Sequence, residues 1–139
     1  MLGAGVVARA VNPAIRIVGV QAEGASAVYR SWREGRRIVT ERVNTFAEGL
    51  ATREPFEMPL ALLPQLVDEI VLVNDDQIAA AIGLLFEATR QVAEGAGAAP
   101  VAVVMSRRDE FAGKRVGMIL SGGNITAEQF RRILNCGKP

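Results

Sequence analysis

The fold of this chain is predicted most directly by residues 117–124, which read GMILSGGN. An apolar run over 116–120 ends abruptly at a hydroxyl, two glycines and an amide, and a helical pattern follows over 126–134. A short apolar run bounded by glycine is typical of a buried strand. The glycines permit close approach of the backbone and leave N–H groups free at the start of a helix. The stretch is thus either a ligand site at the carboxyl end of a strand or a tight strand-to-helix turn.

Strand and helix patterns alternate along the rest of the chain. Apolar and β-branched runs predict strands at Ile15–Val20, Ile70–Val73 and Val116–Leu120. Helices are predicted over residues 5–11, 25–34, 59–66, 77–93, 98–106 and 126–134. This alternation favours an α/β fold with a mainly parallel sheet. Because such a sheet usually has more than three strands, further strands are expected to complete it.

Composition excludes several classes of function. The net charge is +1 from 16 basic and 15 acidic residues, mostly interspersed, so nucleic acid is not expected as a partner. The one basic cluster, at residues 30–37 around Trp32, is interpreted as a solvated helix end. The chain has no histidine and one cysteine. These counts exclude Ser-His-Asp and Cys-His catalysis, HExxH zinc sites and an internal disulfide framework.

The sequence predicts no membrane segment, because no apolar run approaches the roughly 20 residues that span a bilayer. No charged leader with an apolar core and cleavage site is present, so a reducing cytoplasm is the expected location. The length of 139 residues fits one domain or part of one. The helical pattern at 5–11 has no cap or earlier element before it, which we interpret as a fragment, a split gene or an alternative start.

Residues 119–124, ILSGGN, resemble the C-terminal motif of the threonine ammonia-lyase and serine racemase family. Three more stretches match that family in the same order: VGVQAE at 18–23, TFAEGLA at 45–51 and EGAGA at 94–98. The resemblance implies a pyridoxal 5'-phosphate (PLP) enzyme of the tryptophan-synthase β-like fold, a three-layer sandwich with a mainly parallel sheet. It also implies that residues 1–139 are the C-terminal part of the large PLP-binding domain. The N-terminal strands, the small domain and the Schiff-base lysine would then be absent.

The resemblance assigns a cofactor contact to Ser121, which is followed by Gly122. In the family, the serine of this motif hydrogen-bonds the pyridine nitrogen of PLP. A neutral partner leaves that nitrogen largely unprotonated, which weakens the electron sink and suits β-elimination better than transamination. The alternative for Ser121 is a cap on the following helix.

Further residues match the family's cofactor site. Glu94 matches a glutamate beside the cofactor ring, and its alternative is a solvated glutamate at a helix C-terminus. Glu48 and Gly49 match a loop that packs on the ring or imine face, although Glu48 is equally an exposed loop acid. Gly3, with Gly5, matches at most the trailing edge of the glycine-rich phosphate loop.

The resemblance also implies a divalent-cation site that this chain matches only in part. Glu23 and the carbonyl of Ala27 stand at matching positions, but Tyr29 replaces the expected acid. Hard cations bind several oxygen ligands, so we predict no strong metal site. Glu23 is better interpreted as a strand-end acid that caps the next helix.

The family's Schiff-base lysine lies in a Ser-x-Lys motif, which this chain lacks. Its lysines are Lys114 and Lys138. Lys114 lies seven residues before Ser121, which at about 3.3 Å per residue separates them by roughly 20 Å or more. Lys138 belongs to a tail that is expected to fray. Neither is expected to bind the cofactor covalently.

The resemblance implies part of a threonine/serine ammonia-lyase, which abstracts a Cα proton, eliminates β-hydroxide and yields a 2-oxo acid and ammonia. Without the lysine, this chain alone is expected to be inactive. The expected partners are a small amino-acid substrate and either a second copy or a separately encoded N-terminal half. The alternative is a non-catalytic small-ligand-binding or dimerisation module. The sequence does not decide whether the substrate is threonine or serine, or whether the reaction is elimination or racemisation.

Overall fold

The computed structural model describes residues 1–136. The strands are β1 (Val18–Ala22) and β2 (Glu69–Val73). The helices are α1 (Leu2–Val11), α2 (Ala27–Glu34), α3 (Glu57–Leu66), α4 (Asp75–Thr89), α5 (Gly95–Ser106), α6 (Arg108–Phe111) and α7 (Ala127–Cys136). Two short 3-10 turns cover Glu23–Ala25 and Glu48–Leu50. Within the described residues, every helix is too short or too polar to cross a membrane.

The sheet of the described residues has two strands, which run parallel. Val18 lies opposite Glu69, and the register continues to Ala22 opposite Val73. β1 begins later than the predicted start at residue 15. β2 reads EIVLV, so its β-branched side chains reach both faces of the sheet and fit its pleated surface.

Helices cover both faces of the sheet, which makes the fold a three-layer α/β sandwich. On one face, Ile70 packs with Leu63 and Val67, and partly buried side chains of α1 and α2 join them. On the other face, Val71 and Val73 join a larger core formed with α4 and α5. Burial of this apolar surface is the main term that stabilises the sandwich. The predicted α/β class with a parallel sheet is confirmed.

Local capping determines where α4 begins. Asn74 accepts the backbone N–H of Gln77, and the Gln77 side chain accepts the backbone N–H of Asn74, which is a reciprocal capping box. The helix ends before Arg90, which adopts a left-handed conformation with φ of 60°. It is therefore shorter than the predicted 77–93. α5 begins at Gly95, earlier than the predicted 98, because the Glu94 carbonyl already accepts a helical hydrogen bond.

The predicted strand at Val116–Leu120 is wrong. This segment has no regular secondary structure, and the side chain of Ile119 is 63% exposed. A strand needs a neighbour that pairs with its N–H and C=O groups, and the sheet of the described residues consists of β1 and β2 alone. A groove separates the segment from β1. It is lined by Met118 and Ile119 of the segment and by Val18 and Val20 of β1.

Candidate cofactor site

Glu94 lies directly before α5 and joins that helix to residues 122–124. Its backbone N–H donates to the Gly122 carbonyl at 3.0 Å, and its carboxylate accepts the Asn124 N–H at 3.1 Å. Because Glu94 lies at the N-terminal end of α5, the helix dipole favours its negative charge. The alternative of a solvated glutamate at a helix C-terminus is therefore wrong.

Two glycines allow the backbone to lie close to this helix start. A Cβ on Gly122 would lie 2.9 Å from Oε1 of Glu94. A Cβ on Gly49 would lie 2.8 Å from the Cβ of Ala96. A larger residue at Gly49 would force its loop away from α5, so that close approach depends on glycine, whereas a side chain at Gly122 would displace only the end of the Glu94 side chain.

A cavity of about 360 Å³ lies between the start of α5, the 48–50 turn and the segment that leads to α7. Three of the predicted cofactor residues line it: Glu48, Gly49 and Glu94. Other side chains in its lining include those of Phe46, Asn124, Ile125 and Gln129. The structure therefore brings the Glu94 wall and the Gly49 loop to one cavity, which we call the Glu94 cavity.

Ser121 lines the neighbouring groove between β1 and residues 117–121, which has a volume of about 380 Å³. Ala96 lines both spaces, so the two meet at the first turn of α5. Ser121 is exposed. Helix α7 is capped by Thr126, whose hydroxyl accepts the Gln129 N–H at 3.1 Å. The alternative role of Ser121 as the cap of that helix is therefore wrong, and a ligand can reach its hydroxyl.

Gly3 lies apart from these residues. It belongs to the first turn of α1, and a Cβ placed on it would have no neighbouring heavy atom within 4 Å. It lines neither the Glu94 cavity nor the groove, although Met1 and Ala4 of the same turn line the groove. The prediction that Gly3 forms the trailing edge of a phosphate loop stays a prediction.

The two positions of the incomplete cation site, Glu23 and Ala27, differ in exposure. Glu23 is exposed at the start of a 3-10 turn. Ala27 is fully buried at the start of α2, and its carbonyl accepts the Ser31 hydroxyl at 2.7 Å. Within residues 1–135, no group of three or more acidic side chains is arranged to hold a metal ion.

The charged groups with shifted pKa values lie outside both the Glu94 cavity and the groove. A hydrogen bond from Arg16 lowers the pKa of Glu110. A hydrogen bond to Glu69 raises the pKa of Arg107, and Glu69 also accepts from Arg16 at 2.5 Å. This network links the start of β2 to α6. It therefore belongs to the scaffold and not to the site.

The residues present fit one side of the PLP ring. Ser121 offers a neutral hydroxyl, Glu94 a carboxylate, and Gly49 and Gly122 closely approaching backbone, a combination that suits a flat polar ligand. Among residues 1–136, no lysine or arginine lines either the Glu94 cavity or the groove. The fit therefore covers the ring side of the cofactor and not its phosphate or its covalent attachment.

The position of Lys114 does not fit that attachment. Lys114 follows α6, where its backbone N–H donates to the Phe111 carbonyl at 3.1 Å. Its side chain lines neither the Glu94 cavity nor the groove. Lys138 lies outside the described residues.

Sequence reasoning missed two contacts of this site. Asn124 stands in the quoted motif, but the carboxylate of Glu94 that accepts its backbone N–H lies 30 residues earlier. Asp75, the first residue of α4, accepts hydrogen bonds from the loop that precedes Glu48. The position of Asn124 in the motif was the available signal, and no local pattern indicated the role of Asp75.

A parallel α/β sandwich with a polar cavity near the carboxyl end of its strands defines a ligand-binding α/β domain. The comparison with protein families narrows this class. Residues 1–122 match the model of the pyridoxal-phosphate dependent enzymes. The chain belongs to this family, and PLP is the cofactor of the family.

Curated relatives agree with that assignment. The chain is 40% identical over 135 residues to an L-threonine ammonia-lyase of Thermotoga maritima, covering 97% of this chain and 33% of that enzyme. It is 34% identical over 138 residues to a phenylserine dehydratase of Ralstonia pickettii, covering 99% of this chain and 42% of that enzyme. The chain thus spans less than half the length of these relatives.

Solved structures give the same fold. A threonine deaminase from Solanum lycopersicum superposes with a TM-score of 0.88 at 28% identity, covering 98% of this chain and 38% of that one. A serine racemase from maize superposes with a TM-score of 0.84 at 26% identity, covering 98% of this chain and 44% of that one. The predicted resemblance and the predicted tryptophan-synthase β-like class are confirmed.

Proposed function

We propose that this chain supplies the C-terminal part of the large domain of a PLP-dependent ammonia-lyase. The complete enzyme converts a hydroxy amino acid such as threonine or serine to a 2-oxo acid and ammonia. The observation that carries this proposal is the pair of hydrogen bonds between Glu94 and residues 122–124, directly after Ser121. The names of the relatives, an L-threonine ammonia-lyase and a phenylserine dehydratase, support the class of substrate.

Ser121 is the residue that we assign to the cofactor ring. PLP, when bound, supplies the electron sink for the bond that is broken at the substrate Cα. The Ser121 hydroxyl is neutral and exposed, so it would donate a hydrogen bond to the ring nitrogen without protonating it. This role suits elimination better than transamination.

Glu94, Glu48 and Gly49 complete the side of the site that this chain provides. Glu94 orients the backbone after Ser121 through its bond to Asn124. Gly49 allows its loop to lie against α5. The carboxylates of Glu94 and Glu48 give the cavity a negative electrostatic potential, which attracts the ammonium group of an amino-acid substrate.

The base and the covalent anchor come from outside this chain in our proposal. Removal of the Cα proton needs a lysine in the site, and Lys114 lines neither the Glu94 cavity nor the groove. We therefore propose that the chain is inactive alone. The N-terminal strands, the phosphate loop, the small domain and the lysine complete the enzyme.

The groove beside β1 supports an N-terminal half as the partner. One edge of β1 pairs with β2, which leaves its other edge for a new strand. A strand inserted in the groove would pair with both β1 and residues 117–121, above the small side chains of Ala99 and Pro100. This half is either separately encoded or part of the same polypeptide, and a homo-oligomer is compatible with both. We propose the cytoplasm, the location expected from the sequence, as the site of the activity.

The first test asks whether the chain anchors PLP by itself. The purified chain is mixed with PLP, reduced with borohydride and mapped by peptide mass spectrometry. We expect no specific label on Lys114 or Lys138. A specific label on either lysine would mean that the chain has cofactor chemistry of its own, and the proposal of an inert part would fail.

The second test supplies the missing half. The chain is mixed with the N-terminal region of the Thermotoga maritima L-threonine ammonia-lyase, and 2-oxo acid formation from threonine and serine is measured. We expect turnover only in the mixture, strongly reduced by Ser121→Ala and unchanged by the control Ser106→Ala at the end of α5. A monodisperse chain that melts cooperatively alone, and that gives no turnover in the mixture, would favour the small-ligand-binding or dimerisation module.

A further inference from the structure

Within the loop of residues 46–52 that carries Glu48 and Gly49, the backbone hydrogen bonds join residues only two or three positions apart. Its turn is closed by the Leu50 N–H, which donates to the Ala47 carbonyl at 2.8 Å, and by the Ala51 N–H, which donates to the Glu48 carbonyl at 3.0 Å. Such a short 3-10 turn is weakly stable by itself. Its position at the Glu94 cavity must therefore be determined by contacts with other elements.

Asp75, the first residue of α4, provides such a contact. One carboxylate oxygen accepts the Thr45 hydroxyl at 2.6 Å, and the other accepts the Phe46 N–H at 3.1 Å. The Thr45 hydroxyl oxygen in turn accepts the Ala47 N–H at 3.1 Å. All three bonds are partly buried, and two of them end on a charged acceptor, which makes them stronger than bonds between neutral groups.

The carboxylate of Asp75 is not needed to cap its own helix. Asn74 and Gln77 already form the capping box of α4. Asp75 follows that cap, yet both of its oxygens accept from residues 45 and 46, about 30 positions earlier in the chain. The neighbouring acid Asp76 is exposed in the same first turn. This contrast between the bonded Asp75 and the exposed Asp76 assigns to Asp75 a role beyond the favourable interaction of its charge with the helix dipole.

From Asp75 the contacts continue to the cavity. Ala47 is almost fully buried, and its Cβ would lie 2.7 Å from a Cβ placed on Gly95, the first residue of α5. Two residues later, Gly49 lies against Ala96 in the same way. A Cβ on Gly49 would lie 3.7 Å from Oε1 of Glu94. The loop is therefore held between α4 and the first turn of α5.

We infer that Asp75 and Thr45 form a latch that positions the Glu48–Leu50 turn at the cofactor cavity. Asp75 is a positioning residue, because it touches the loop and does not line the Glu94 cavity. The latch couples the carboxyl end of β2, through Phe46 and Ala47, to the wall that Gly49 and Glu48 form. The contribution of the latch to catalysis rests on the function proposed above, whereas its effect on the position of the loop does not.

Hydrogen exchange of the full-length chain tests the latch without any cofactor. The variants are Asp75→Asn and Thr45→Val, with Thr45→Ser as the conservative variant that keeps the hydroxyl. Asp76→Asn is the matched control, since it removes the same charge from the same helical turn. We expect amides 46–51 to exchange about tenfold faster in Asp75→Asn and Thr45→Val, with exchange in α4 unchanged. Thr45→Ser and Asp76→Asn should stay within about twofold of the parent chain.

Two results would overturn the latch. One is equal exchange of amides 46–51 in Asp75→Asn and Asp76→Asn, which would mean that only helix charge matters. The other is a uniform increase along the whole chain, which would mean a general loss of stability. In the mixture with the N-terminal half, Thr45→Val should lower kcat/KM. Thr45→Ser, which keeps the hydroxyl, should leave kcat/KM close to that of the parent chain. If the parent mixture has no turnover, the proposed function fails while the exchange result still decides the latch.

Discussion

The Glu94 carboxylate accepts the backbone N–H of Asn124 at 3.1 Å, and these two residues lie 30 positions apart in the chain. A second bond, from the Glu94 N–H to the Gly122 carbonyl, runs in the opposite direction. The segment after Ser121 is therefore held by one residue through both its main chain and its side chain. This pairing explains how an irregular segment can present a hydroxyl in a defined position.

Replacement of Glu94 tests this pairing. Glu94→Ala removes the acceptor of the Asn124 N–H, and we expect the free energy of unfolding to fall by about 1–2 kcal/mol. Glu94→Gln keeps a carbonyl acceptor and should lose less. Urea denaturation gives the stability, and hydrogen exchange should locate the loosened amides at 122–124. The control is Glu48→Ala, which removes an exposed carboxylate from the same cavity. Equal losses in Glu94→Ala and Glu48→Ala would contradict the pairing.

Gly97 in α5 tests how closely the motif packs on this helix. A Cβ on Gly97 would lie 2.8 Å from the Gly122 carbonyl oxygen, which is backbone and cannot rotate away. Gly97→Ala should therefore destabilise the chain by about 1–3 kcal/mol.

The matched control is Gly83→Ala in α4, where a Cβ would meet no heavy atom within 4 Å. This change should raise the free energy of unfolding by about 0.4–1 kcal/mol, because alanine loses less backbone entropy in a helix. Melting curves compare the two variants. A stabilised Gly97→Ala chain would mean that helix propensity outweighs the contact with Gly122.

Elements with local signals could be predicted from the sequence. The capping residue Asn74 marks the start of α4, and the β-branched run at 70–73 marks β2. The strand predicted at 116–120 failed for a non-local reason. Its apolar composition is typical of a strand, but a strand forms only where a neighbour pairs with it, and composition does not reveal that neighbour.

The candidate site also has a part that the sequence indicated and a part that it did not. The resemblance of four short stretches indicated Ser121, Glu94 and Gly49, and the structure brings Glu94 and Gly49 to one cavity. The contacts that hold them could not be predicted, because Glu94 with Asn124 and Asp75 with Thr45 are pairs about 30 residues apart. Such pairs depend on how the helices pack, and no periodic pattern encodes them.

The lowered pKa of Asp68 predicts that the folded chain loses stability in acid. The Ile17 N–H and Arg9 hold the pKa of its carboxyl below the ordinary value of 3.8. Because the folded chain binds this proton less readily than the unfolded chain, the stabilisation is complete above that ordinary value. It is lost as the pH falls through the lower pKa of the folded state. Melting midpoints measured between about pH 6 and pH 2.5 should therefore drop below about pH 4.

Asp68→Asn should reduce this acid slope, and Asp109→Asn, which changes an exposed acid, should leave it unchanged. The slope should not vanish, because Arg16 lowers the pKa of Glu110, which then titrates in the same direction. An identical slope in the parent chain and Asp68→Asn would show that this carboxylate does not contribute.

Ile119 provides the sharpest test of how the sheet is completed. Its side chain is 63% exposed and lines the groove beside β1, where we propose that a strand of the N-terminal half inserts. An aspartate buried there without a partner costs several kcal/mol, so Ile119→Asp should weaken binding of the N-terminal half at least about tenfold. Val39→Asp is the control, since Val39 is 55% exposed and does not line this groove. Binding is measured by titration calorimetry. Because the Ile119 side chain is mostly exposed, the melting midpoint of the Ile119→Asp chain alone should equal that of the parent chain. Equal affinities of the two variants for the N-terminal half would exclude this groove as the joining surface.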